Sequence, residues 1–188
     1  SRELKCAVDE DGKREILKRL APKFVYHGEF GILEDVFNNK YEMIVFLEGK
    51  NDVKNFESGL INEKYKFIDS HGVGNMPDLV KIFKAIPFFK KLAQQKLIVF
   101  LFDFDQEGID NLLKCIPKKN QEIFEKFNDK ASYFSKVEED TNIYVTHLIP
   151  CNEHSWKLNE GYRHQELRKE GENGIKRQFE NLEVIKLM

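Results

Sequence analysis

Leu97-Ile98-Val99-Phe100-Leu101-Phe102-Asp103-Phe104-Asp105-Gln106-Glu107-Gly108 is the stretch that decides the fold. Six consecutive apolar residues, rich in β-branched and aromatic side chains, read as a strand buried on both faces. Two acids spaced i, i+2 close it, and Ile109 to Ile116 then reads as a helix. A shorter version of the pattern lies upstream. Met43-Ile44-Val45-Phe46-Leu47 runs into Glu48-Gly49, followed by a helix to about Leu60 that Asn51 or Asp52 can cap. Lys66-Phe67-Ile68-Asp69 is a weaker strand. It leads into Gly72-Val73-Gly74-Asn75-Met76-Pro77-Asp78, where two glycines, a capping Asn and an early proline mark a strand–loop–helix junction. Leu79, Val80, Phe83 and Ile86 then share one helix face. Asn142 to Pro150 is the fourth strand.

Apolar strands alternating with helices imply an α/β, Rossmann-like fold: a central four-stranded, mainly parallel sheet with helices on both faces. Residues 41–150 form this core, and 117–140 is a charged insertion with a short helix around Ile123 to Phe127. Residues 1–40 are a polar, helical N-terminal extension, with an amphipathic segment at Glu15 to Leu20 and punctuation at Gly28 to Gly31. Residues 151–188 are a polar C-terminal extension, with a helix from Lys176 onward. In open parallel sheets the functional crevice lies at the carboxyl ends of the strands. Glu48, the 72–74 glycine loop and the Asp103/Asp105 pair all fall at that edge.

Composition narrows the function classes. The 188 residues are 41% hydrophobic and 33% charged, with sixteen Phe to build a core and a formal net charge of -2. A whole-protein basic field is absent, so nucleic-acid contact must come from local patches. Cys6, Cys115 and Cys151 are scattered and odd in number, which argues against a disulfide framework or zinc ribbon and for a reduced, cytoplasmic setting. No apolar run approaches a membrane span and no signal peptide is visible. The chain starts Ser1-Arg2 and is expected to be a piece of a longer protein.

At a strand's end the chain turns, so carboxylates spaced i, i+2 can both reach one site. Asp103 and Asp105 stand there, with Glu107 after them and Glu48 at the end of the other strong strand. Acids without thiolate or imidazole company suit magnesium or manganese better than zinc. A metal at this edge would let an anionic phosphate approach and would support phosphoryl transfer. The plainer reading is that the acids cap helices and solvate loops. The six apolar residues before Asp103, and a second strand ending in an acid, weigh against it.

Leu47-Glu48-Gly49-Lys50-Asn51-Asp52 resembles the glutamate motif of the Toprim family. Phe102-Asp103-Phe104-Asp105-Gln106-Glu107-Gly108 resembles its DxD motif, in a form similar to that of type IA topoisomerases. Gly72-Val73-Gly74 stands where the family has a glycine between them. The resemblance spans about residues 42–150, strand order included. It implies a Toprim fold in which Glu48, Asp103 and Asp105 bind divalent metal, or Glu48 serves as general acid or base. Asp52, one turn after Glu48, is similar to the pattern of OLD-family nucleases, in which a second metal can bind, with Glu107 a further candidate ligand. Glu107 stands where some members have a third Asp. The nearest candidates for the late acidic and lysine motifs of OLD nucleases are Glu153 and Lys157. The function implied is magnesium- or manganese-dependent phosphodiester cleavage of nucleic acid, DNA in the first place, by the catalytic piece of an ATPase-linked protein.

Other signals carry less. Gly49-Lys50 lacks the Walker A glycine and hydroxyl, since Ile44 and Asn51 hold those places. Gly72-Val73-Gly74 lacks the third glycine of the dinucleotide fingerprint and reads first as a tight turn. Cys151, His154 and His147 have no second pair to complete a zinc site. His71 reads as a surface or hydrogen-bonded histidine, with an active-site role as the alternative. Lys81, Lys84, Lys90, Lys91 and Lys96, interleaved with Phe83, Phe88 and Phe89, form either a solvated helix face or a backbone-tracking patch. Arg163, Arg168, Lys169, Lys176 and Arg177 form a second such patch. Lys50, Gly72, Gly74, Lys81 and Lys84 are the candidate nucleic-acid contacts. Two competing functions remain: a Toprim scaffold that binds nucleic acid or a partner ATPase without turnover, and a haloacid-dehalogenase-type phosphatase with Asp103 as nucleophile.

Overall fold

The computed structural model describes residues 39–59, 62–125, 134–148 and 172–187. Strand β1 (Met43–Leu47) leads to helix α1 (Lys50–Ser58) and strand β2 (Tyr65–Asp69). A 3-10 turn (Val73–Asn75) opens α2 (Met76–Ala85), and α3 (Pro87–Gln95) follows. The break between them falls where Ile86, preceding Pro87, is extended, as the proline ring requires. Then come β3 (Leu97–Phe102), α4 (Gln106–Cys115), α5 (Lys118–Glu125), β4 (Phe134–Lys136), β5 (Ile143–His147) and α6 (Glu172–Lys186). The sequence expectations for Glu15–Leu20, Gly28–Gly31, Glu153 and Lys157 lie outside the described residues.

The sheet has five strands in the order β2-β1-β3-β5-β4, not four. The fifth is β4, a three-residue antiparallel edge strand on β5, within the 117–140 segment read as an insertion. So short a strand carries too little periodicity to stand out in sequence. The other pairings are parallel, as expected. The helix of this segment begins at Lys118 rather than around Ile123.

Side-chain alternation sorts the core into two layers. Ile44, Phe46, Ile68, Ile98, Phe100, Ile143 and Val145 face α2, α3 and α4. Met43, Val45, Leu47, Tyr65, Phe67, Val99, Leu101 and Tyr144 face α1 and α6. Aromatic rings anchor both layers. Phe46 stacks on Phe100 with centroids 4.8 Å apart, and Phe83 meets Phe46 edge-on at 5.7 Å. On the opposite face Phe179 meets both Phe56 and Phe67 at 5.8 Å. Phe179, Leu182 and Ile185 are fully buried, so α6 closes the second layer of the core. Phe179→Ala is expected to cost about 3–5 kcal/mol, the usual loss for a buried aromatic. Urea unfolding would show it as a lower midpoint at unchanged slope, and a negligible shift would mean that α6 adds nothing to the core.

Candidate functional site

Parallel strands deliver their carboxyl ends to one edge. From β1 the chain leaves through α1 on one face, and from β2 it returns to β3 through α2 and α3 on the other. The strand order therefore reverses between β1 and β3, the place where such sheets open a crevice. Glu48 directly follows β1 and Asp103 directly follows β3, and the Asp103 N–H donates to Glu48 Oε1 at 2.9 Å.

Neither Asn51 nor Asp52 caps α1. Gly49 occupies the N-cap, and no side chain bonds the helix there. Asp52 is buried, its Oδ2 lying 3.5 Å from where a Cβ on Gly49 would sit. Asp105 does cap α4, its Oδ1 accepting from the Gly108 N–H at 2.7 Å. Gly108 is demanded by space: a Cβ there would stand 2.2 Å from the Asp103 carbonyl oxygen. The glycine lets the first turn of α4 press against the end of β3. Between them Phe104 points inward and packs 4.8 Å from the buried ring of His147.

The electrostatics of this crevice are one-sided. Glu48 is pushed up from 4.5 to about 8, first by burial and then by the charge of Asp103, with further contributions from Asp105 and Asp52; the Asp103 N–H works in the opposite direction. Repulsion of this kind is what a bound cation relieves, and an all-carboxylate oxygen set suits a hard ion such as magnesium or manganese. Among the described residues no three His, Cys, Asp or Glu side chains are gathered to hold a metal. Glu48 and Asp105 each accept a backbone N–H, and an ion would compete with those donors. The donor chemistry fits a metal; the side-chain positions would have to shift to hold one.

Glu107 is exposed on the first turn of α4. Lys50 is exposed at the start of α1, beside Glu48. Gly72 is exposed with φ of 111°, a backbone that only glycine adopts freely, and its N–H donates to the Glu48 carbonyl at 2.8 Å. Gly74 is exposed, with open space where a Cβ would stand. Asn75, at the N-cap of α2, does not bond the helix; its amide donates to the carbonyls of Ser70 and His71 and so ties the loop. Lys81 pairs with Asp78 at 2.8 Å, and Lys84 lies a turn further along α2, away from the crevice. Lys90 bridges Glu138 and Asp140, and Lys96 is buried. The basic run is thus spread over several surfaces. Cys151, His154, Arg163, Arg168, Lys169 and Lys157 lie outside the described residues.

Two groups at this edge were passed over or discounted in the sequence. Asp69 is a third strand-ending acid, in register with Leu47, and it binds His71. His147 is in register with Phe102; its Nδ1 meets the Leu148 carbonyl oxygen at 2.8 Å, and burial lowers it to about 4, so it is neutral. Strand-end position was the available signal for both.

Nothing matches this chain among protein families, curated proteins or solved structures.

Two outcomes follow from the site. Gly108→Ala is expected to lower the melting temperature by several degrees or more, since backbone must move to admit the methyl. An unchanged melting curve would mean that α4 does not press on Asp103. In EDTA, stability is expected to fall as pH rises from about 4.5 to about 8: the unfolded chain releases the Glu48 proton in that window while the folded chain retains it. Glu48→Gln, which keeps an acceptor for the Asp103 N–H, should flatten that slope in thermal melts at pH 5 and pH 8.

Proposed function

We propose that this chain is a divalent-metal-dependent nuclease of Toprim type, OLD-like in pattern, that cleaves phosphodiester bonds of DNA. The observation that carries the reading is the placing of Glu48 and Asp103 side by side where β1 and β3 end, with Glu48 raised to about 8 first by burial and then by the charges of Asp103, Asp105 and Asp52. Asp103, Asp105 and Glu48 would hold magnesium or manganese, with Asp52 and Glu107 toward a second ion. When bound, the ion would neutralise phosphate charge and steady the leaving oxygen. Phe104, between the two aspartates, packs against His147, and Gly108 lets the first turn of α4 lie against the Asp103 carbonyl. Lys50, Gly72 and Gly74 flank the crevice and would meet the phosphate backbone, with Lys81 and Lys84 further out along α2. Linkage to an ATPase rests on the family resemblance alone.

A second reading is a binding scaffold without turnover. The observation that favours it is the helix-capping role of Asp105, which occupies one of the carboxylates a metal would need.

The deciding measurement is cleavage of supercoiled plasmid and single-stranded DNA in magnesium, manganese or EDTA, beside Asp105→Asn. Asparagine caps helices as well as aspartate does, so this variant should keep α4. Metal-dependent cleavage by the wild type, reduced about a hundredfold or more in the variant, is the expected result. DNA bound but never cut, under any divalent metal, would favour the scaffold.

A further inference from the structure

The Cα of Glu48 stands between two peptide planes that a single loop holds. The Ser70 N–H donates to the Leu47 carbonyl and the Gly72 N–H to the Glu48 carbonyl, each at 2.8 Å. The first bond fixes the plane that enters the Glu48 Cα, and the second fixes the plane that leaves it. Peptide units are rigid, so the two bonds together set both backbone torsions of Glu48 and the direction in which its side chain departs. That side chain then accepts the Asp103 N–H at the end of β3.

This pattern departs from the sheet that precedes it. In a regular parallel ladder, donors two residues apart meet carbonyls two residues apart. Here they meet adjacent carbonyls, because His71 between them is left-handed, with φ of 57°. A histidine holds this conformation only where its surroundings support it. Two side chains supply the support. Asp69 Oδ1 accepts the His71 backbone N–H at 2.7 Å, and Oδ2 lies 3.3 Å from the ring Nδ1. From the other side, the Asn75 amide donates to the Ser70 and His71 carbonyls at 3.0 and 2.9 Å. The Asp69 side chain is about nine-tenths buried, where water competes little for its bonds.

We propose that Asp69 and Asn75 are positioning residues for Glu48: they lock the 70–72 loop, and the loop aims the Glu48 carboxylate for divalent-metal binding. The inference rests on the metal-dependent reading above. Both residues act through main-chain groups, and neither touches the reacting atoms. Partners that orient a metal ligand in this way typically carry about 10- to 100-fold in metal affinity.

The test titrates manganese into the full chain by calorimetry, with a melting curve and plasmid cleavage on the same samples. Asp69→Ala removes both acceptors and Asn75→Ala both donors, and each is expected to weaken manganese binding about 10- to 100-fold. Asp69→Asn keeps an oxygen for the His71 N–H and should recover most of the affinity. Glu48→Gln alters the aimed group itself, so adding Asp69→Ala to it should cost almost nothing further, whereas a loss that merely reflected a loosened fold would add in full. Should Asp69→Ala fail to fold, Asn75→Ala alone and on Glu48→Gln decides in its place. Wild-type affinity in the folded alanine variants, or losses that add in full to that of Glu48→Gln, would overturn the positioning role and leave the nuclease reading standing. Manganese bound in the expected pattern by a chain that cuts no DNA would sustain the positioning role and remove the nuclease reading. A wild-type chain that binds no manganese would overturn both.

Discussion

The parallel pairing of Met43–Phe46 with Leu97–Phe100 is the contact on which the rest of the molecule depends. It sets Glu48 beside Asp103 although 55 residues separate them. The pairing is held from above and below. Phe46 and Phe100 stack on one face under Phe83, while Val45, Val99 and Leu101 meet the α1 and α6 layer on the other. The connections that follow β1 and β3 depart to opposite faces, the arrangement that opens a crevice at the end of such a strand pair.

The end of β3 is built by two constraints that act together. Phe104 is drawn into the core against His147, and Gly108 admits the first turn of α4 against the Asp103 carbonyl. With the middle residue buried, the flanking aspartates are left at the crevice. Their charge, with that of Asp52, falls on a Glu48 that is itself largely withdrawn from water. Two of these carboxylates quiet the conflict by accepting backbone N–H groups. The fold thus stores acidic repulsion at one edge and meets it in part from its own main chain.

Much of the architecture was legible in the residues. The apolar runs 43–47 and 97–102 are strands at those positions, and helices follow Glu48, Asn75 and Asp105, although the second ends at Ala85 and leaves Ile86, expected on its face, extended before Pro87. The edge strand β4 was not legible, being three residues long and defined only by its partner. The cap of α1 was misread, since Asn51 and Asp52 look like caps while Gly49 takes the position and Asp52 turns inward. The lysines after Met76 read as a single stretch, yet Asp78, Glu138 and Asp140 divide them among separate ion pairs. Glu138 and Asp140 are so distant from Lys90 in sequence that this part of the division leaves no local trace.

The sequence by itself determined the α/β class, the parallel sheet and the placing of Glu48, Asp103 and Asp105 at strand ends. Period and apolar run length are local properties of the chain, and the turn follows directly. Only the tertiary structure decided which strands are neighbours, that Asp105 caps α4, that Gly108 must lack a side chain and that Asp69 holds His71. Each of these depends on a distance between groups brought together by packing, and packing is a property of the folded chain as a whole.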